Sequence, residues 1–204
     1  MEKELNVVGT RIPMLDAAEK VKGTAQFTDD LVLSGMLHGK VLRSPLPHAK
    51  ILNIDTSRAE KLPGVKGVVT GRDIPDRMYG IVPMAKDEHA LAREKVRYIG
   101  DDVAAVCAID PEIAEEALGL ISVDYEELPA VFDPLEAGKE GAPLIHAGVK
   151  NNTSFYIKKE FGDVEKAFAE CDDIFEQSFY SQAVNHAPLE PHAALAQFDP
   201  LNGH

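Results

Sequence analysis

Cysteine is scarce in this chain. Its 204 residues include two, Cys107 and Cys171, far apart in sequence. Two isolated thiols make no disulfide framework and suit a cytosolic protein. Positive charge is also short: 21 Lys plus Arg stand against 34 Asp plus Glu, for a net charge of -13. A field of that sign repels phosphate backbones, so no nucleic-acid partner is expected. No apolar run approaches the length of a membrane span. The opening "MEKELNVVGTRIPMLD" lacks the basic and apolar regions of a signal peptide. The expectation is a cytoplasmic protein with no membrane partner.

Several chemical signatures are missing too. There is no GxSxG elbow, no helical HExxH spacing, and the glycines of "GVKGVVTG" fit neither GxGxxG nor the Walker pattern. What the chain does have is material for a core. Hydrophobic residues make up 45% of it, enough for one large domain or two small ones.

Short β-like runs open the chain: "MLHGKVL" (36–42), "AKILNID" (49–55) and "KGVVT" (66–70). Between the last two, Asp55 or Thr56 is placed to cap a short helix that Pro63-Gly64 would end. The stretch 71–91, with two prolines and two glycines, reads as a long loop. "VAAVCAI" (103–109) is continuously apolar, as a strand buried on both faces would be. Asp110 then suits an N-cap and Pro111 the first helical position. Ile113, Ala117, Leu120 and Ile121 share a face at helical spacing. "ISVDYEE" alternates, with Ile121, Val123 and Tyr125 on one side. This is a strand–helix–strand unit, and a shared sheet would require a right-handed crossover. The turn-rich stretch 136–150 reads as a linker. Beyond it, "GDVEKAFAEC" is a short helix capped by Asp163, and "DIFEQSFYSQ" and "AALAQFD" are strands.

Three clusters offer chemistry, each with a plainer explanation. Alternation puts Asp124 and Glu126 on one face beside Glu127, as acid–base partners or as a solvated strand face. His186, Glu190 and His192 in "HAPLEPH" have zinc-ligand chemistry, but two prolines rule out a regular helix, so surface turn residues are the default. Ser44, His48 and Asp55 contain the residue types of a hydrolytic triad, yet closeness in sequence supplies no triad geometry. Cys107, inside an apolar strand, reads as a packing residue.

Four successive blocks, "EKVKGTAQFTDDL", "MLHGKVLRSPLPHAKILNIDTSRAEKLPGVKGVVTGRDIP", "VRYIGDDVAAVCAID" and "VDYEELPAV", together resemble one module. It is the α/β hammerhead domain of the xanthine dehydrogenase and aldehyde oxidase family, in its molybdopterin-binding large subunit. "EFGDVEKAFAECDDIFEQSFYSQAVNHAPLEPHAALAQFDP" resembles the start of the molybdenum-binding domain that follows. Within the family, "YGIVPMAKDEHALAREKVRYIGDDVAAVCAID" and "AVNH" look like the large (alpha) subunit of 4-hydroxybenzoyl-CoA reductase.

The resemblance implies an α+β fold, with a hammerhead domain over residues 1–135, a linker over 136–150 and a truncated molybdopterin-binding domain over 151–204. It also implies an oxidoreductase that hydroxylates a carbon centre with water, or a reductive variant acting on an aromatic thioester. Molybdopterin is expected in the full-length parent subunit, with the remainder of that subunit and iron–sulfur and flavin subunits as partners. The family's GGGFG loop, its glutamine-containing pterin segments and its catalytic glutamate have no counterpart here. No catalytic, cofactor-binding or metal residue carries over, and Glu190 in "PLEP" is not that glutamate. The chain is therefore expected to be a scaffold fragment without activity or cofactor of its own. The rival expectation is a freestanding, non-catalytic binding or assembly module.

Overall fold

The computed structural model describes residues 7–81, 86–199 and 201. The chain divides into two units, Gly35–Ile174 and a second made of Met1–Ser34 with Phe175–His204. In the second unit, helix α1 (Ala17–Lys22) carries the ion pair Lys20–Asp16 at 2.7 Å and stops at Gly23, whose left-handed backbone returns its N–H to the Lys20 carbonyl. A 3-10 turn follows at Thr28–Asp30. The described residues from 175 onward form no helix or strand.

The unit Gly35–Ile174 holds the regular structure. In chain order it runs β1 (His38–Arg43), β2 (Ala49–Asp55), α2 (Ser57–Glu60), β3 (Val65–Thr70), β4 (Met78–Tyr79), β5 (Glu88–His89), β6 (Lys95–Val96), β7 (Asp102–Ala108), α3 (Pro111–Leu118), β8 (Ser122–Glu127), α4 (Pro134–Ala137) and α5 (Val164–Ala169). Two three-stranded antiparallel sheets result, ordered β1-β7-β3 and β6-β2-β8, with β4-β5 a separate hairpin.

Apolar β7 takes the centre of the first sheet because both its edges and both its faces are covered. Ala105 pairs with Val41 on one side and with Val69 on the other. Successive side chains on a strand point to opposite faces, so β7 feeds two cores. Val106 packs with Ala59 of α2 and Ala117 of α3, closed by Leu62, Val65, Val68 and Leu120. Val103 packs with Ala49, Ile51, Ala92 and Val96, closed by Leu46, Ile54, Val123 and Tyr125.

Helix α3 begins as its sequence directs. Asp110 is extended, its Oδ1 accepts from the amides of Glu112 (2.8 Å) and Ile113 (3.3 Å), and Pro111 follows. Its buried residues are Ala114 and Ala117, with Ile113 at the margin. The turn between α2 and β3 needs Gly64: φ is +99°, and a Cβ there would stand 2.7 Å from Ile113 Cδ1.

Three expectations change. β7 and β8 lie in different sheets, so α3 does not connect two strands of one sheet, and it packs on β1-β7-β3. A strand–helix–strand pattern fixes the elements and leaves their pairing partners open. "DIFEQSFYSQ" and "AALAQFD" form no strands; a strand needs a neighbour to bond to, and none is supplied there. The loop 71–91 carries the hairpin β4-β5, while its residues 82–85 lie outside the described ones. Stretch 136–150 lies within the unit Gly35–Ile174. It contains the end of α4, opened by Asp133 accepting from Leu135 N and Glu136 N, and it is clasped by Asn152.

Candidate functional site

The side chains of "RSPLPHAKI" that invited a triad are buried, and each is committed elsewhere. Ser44, 2% exposed, donates from Oγ to the Leu46 carbonyl (2.9 Å) and accepts from Leu46 N (3.1 Å). This short Ser-x-x turn is what "SPLP" imposes between β1 and β2. His48, 4% exposed at the entry to β2, donates from Nδ1 to the Pro129 carbonyl at 2.7 Å, and its Nε2 accepts from Lys95 Nζ at 3.0 Å. That is the Nδ1–H tautomer, and no ring nitrogen is left to serve Ser44 as a base. Asp55 accepts from Ser57 N at 3.0 Å where α2 begins; the hydrogen bonds from Ser57 hold its carboxyl below the usual range. These bonds tie each residue to its own neighbourhood and do not join the three into a relay.

The other clusters fare similarly. Asp124, Glu126 and Glu127 are exposed on β8, and Glu126 pairs with Lys50 across the strands at 2.9 Å. Register places Asp124 opposite Asn53 and Glu126 opposite Lys50, so this is a solvated strand face. His186, Glu190 and His192 are exposed on irregular backbone. Among the described residues, no group of three His, Cys, Asp or Glu could hold a metal ion. Cys107 is half-buried in β7 and faces Gly67, while exposed Cys171 donates to the Ala167 carbonyl at 3.2 Å.

Chain topology brings together a polar junction that no local motif announces. Asp101, 8% exposed, accepts at Oδ2 from Arg97 N (2.9 Å), and its carbonyl accepts from Ser44 N (2.8 Å). Burial pushes the Asp101 carboxyl up, against the pull of the Arg97 amide and guanidinium. Beside it, Arg43 reaches Asp102 at 2.9 Å and the Gly100 carbonyl at 3.0 Å. Burial, then Arg97, lowers the Lys95 ammonium. Burial and Arg97 likewise hold the His146 imidazole below its ordinary 6.5, opposed by Asp87 at 4.0 Å. A small cavity of about 50 Å³ lies among His89, Arg97, Tyr98, Asp101 and His146. A larger one of about 320 Å³ is lined by Lys86, Asp87, Val131, Ile145, His146 and Asn152, among others.

Chemically this junction is a fastener. His48, Lys95 and Asp101 bond to backbone groups or to each other, while the buried His89 Nδ1 and Arg97 Nε have no hydrogen-bond partner among the described residues. The residues that compose it are scattered over the strand ends and loops of the fold, with His48 and Lys95 47 positions apart. Their signal in the sequence is therefore nil until the strands are paired.

Comparison with known proteins identifies the pattern. The family model described as aldehyde oxidase and xanthine dehydrogenase, a/b hammerhead domain, matches residues 22–129. The molybdopterin cofactor-binding domain matches 145–204. The nicotinate dehydrogenase large molybdopterin subunit of Eubacterium barkeri is 36% identical over 200 residues, covering 98% of this chain and 46% of that protein. A probable xanthine dehydrogenase subunit of Bacillus subtilis (strain 168) is 40% identical over 183 residues, covering 89% of this chain and 24% of that protein. Among solved structures, the aldehyde oxidoreductase of Desulfovibrio gigas superposes with a TM-score of 0.67 at 36% identity, over 78% of this chain and 19% of that one. The chain thus spans about half the length of one curated relative and a quarter of the other.

Proposed function

The chain belongs to the aldehyde oxidase and xanthine dehydrogenase family, and on that premise we propose that it is a scaffold portion of a molybdopterin-binding large subunit. Its parent enzyme is an oxidoreductase that hydroxylates a carbon centre with water. The cofactor carries such chemistry and the protein positions it. The observation that carries this proposal is the order of the two matches, hammerhead domain and then cofactor-binding domain, on a chain where buried His48 and Asp101 bond to loop backbone.

The described residues do not by themselves fit the pterin. Stretch 153–198, most of the cofactor-binding match, is exposed along its whole length, and a buried cofactor needs enclosing walls. No step is therefore assigned to a residue of this chain. Its part is to present a rigid unit, with His48 and Asp101 pinning the strand ends, to the domains that hold the cofactor. The partners proposed are the remainder of the subunit and iron–sulfur and flavin subunits; both relatives carry "subunit" in their names. A cytoplasmic location is proposed with them. No helix among the described residues is long and apolar enough to cross a membrane.

A chimera tests the proposal. In the Bacillus subtilis subunit, the stretch aligned with this chain is replaced by this chain, and the product is purified from a host that makes the pterin cofactor. Molybdenum retained in the chimera supports equivalence of the two modules. A soluble chimera that carries none contradicts it.

A further inference from the structure

We infer that Lys95 is an acylation site: its amine attacks the carbonyl of an acyl thioester, and His48 Nε2 is the base that takes the proton. Lys95 Nζ stands 3.0 Å from His48 Nε2. The Nδ1 of that ring donates to the Pro129 carbonyl at 2.7 Å, which leaves the lone pair on Nε2, facing the amine. Lys20, Lys40, Lys50, Lys139, Lys158 and Lys166 each pair with a carboxylate at 2.6–3.7 Å. Lys95 has no such partner among the described residues. Around it stand the His48 ring, Arg97, His146 and, opposite it in register on β2, Lys50. Burial, then the Arg97 charge, lowers its ammonium. A lysine desolvated beside another cation is an activated nucleophile. At pH 8 an ordinary lysine is a free amine in roughly 0.4% of molecules, and any lowering raises that fraction. Lys95 lies in the edge strand β6 and is half-buried, which leaves part of it open to a small reagent.

The step balances without an oxidant or a further reactant. The Nζ lone pair forms the C–N bond at the thioester carbonyl, and the C–S bond breaks as the tetrahedral adduct collapses. His48 Nε2 takes the proton shed by the nitrogen and passes it to the departing thiolate, so the products are an N-acyl lysine and a free thiol. A thioester is the class that fits because a thiol, near 8.5, leaves without an acid to protonate it. The protein then needs to supply only the free amine and the base. The amide formed keeps one N–H for His48 Nε2 and removes a positive charge from beside Arg97 and His146.

The whole chain is incubated between pH 7 and 9.5 with a small acetyl thioester, S-acetyl-N-acetylcysteamine. Acetylation of each lysine is followed over time by peptide mass spectrometry. Lys66 and Lys150, exposed and without an ion pair among the described residues, are the references. At pH 8 Lys95 is expected to react about tenfold or more faster than either, and its pH profile should rise earlier. His48→Asn keeps a donor for the Pro129 carbonyl and removes the base. In that variant the Lys95 rate should fall about tenfold, while the early rise, which burial and Arg97 cause, remains. Lys95 reacting no faster than Lys66 and Lys150 in the native chain overturns the inference, whatever the variant does. So does an unchanged Lys95 rate in a His48→Asn chain whose circular dichroism is native. If that variant does not fold, the comparison of sites within the native chain decides.

Discussion

Asn152 is a side chain with three backbone partners. Its Oδ1 accepts from Ile145 N at 2.9 Å, and its Nδ2 donates to Pro143 O at 2.9 Å and Ala137 O at 3.0 Å. It does this from a left-handed backbone, φ +53°, which Asn tolerates better than most residues. Asn152→Gly keeps the conformation and loses the bonds; Asn152→Ala loses the bonds and adds strain. Both should be destabilised in urea, by about 1–3 kcal/mol for the groups left unpaired, with Ala the worse of the two. Equal midpoints for the two variants would show that the backbone at 152 carries no strain. Gly71 offers a second residue-scale check. A Cβ there would meet the Ala92 carbonyl at 2.5 Å and the Leu91 carbonyl at 2.9 Å. Gly71→Ala should lower stability by about 1–3 kcal/mol, as overpacking does.

His146 gives a pH dependence. Burial and Arg97 depress its folded value below 6.5, so the unfolded chain takes up the proton first as pH falls. The contribution to stability is present above about pH 6.5 and is lost as pH falls through the window down to the folded value. Urea midpoints between pH 8 and 5.5 should therefore decline more steeply for the native chain than for His146→Gln. An identical slope would mean that His146 is not held neutral.

At the scale of elements, α3 tests the first core. Ala117 is fully buried between Ala59 and Val106, so Ala117→Asp should cost several kcal/mol as an unpaired buried charge. Asp110→Ala should lower the melting temperature by removing the cap, whereas Asp110→Asn should retain most of it. A melting temperature unchanged in Ala117→Asp would place α3 off the sheet. This helix and β7 were readable in the sequence because their signals are local: a cap, a proline, an apolar run. Pairing was not, since nothing in "VAAVCAI" or "ISVDYEE" says that one strand joins β1 and β3 while the other joins β2. The hairpin β4-β5 has two-residue strands, too short for alternation to register. "DIFEQSFYSQ" shows the reverse failure, a strand pattern with no partner to complete it. The polar junction at Asp101 and His48 was invisible for the same reason as the sheet order, because it exists only once distant strand ends meet.

At the scale of the whole molecule, the unit Gly35–Ile174 and the segment after it should differ in protection. Limited proteolysis is expected to cut first within 175–199, where the described backbone has no ladder and the side chains are exposed, since exposed irregular segments are cleaved first. The stretch 136–150 should resist for longer, because α4 and Asn152 hold it. First cleavage at 136–150, with 175–199 intact, would reverse that order.

The account rests on the chain being scaffold, with the cofactor held elsewhere in the parent subunit. Its most direct test is the molybdenum and pterin content of the purified chain, produced alone in a host that synthesises the cofactor. The account predicts molybdenum far below one atom per chain. One molybdenum and one pterin per chain, surviving gel filtration, would contradict it.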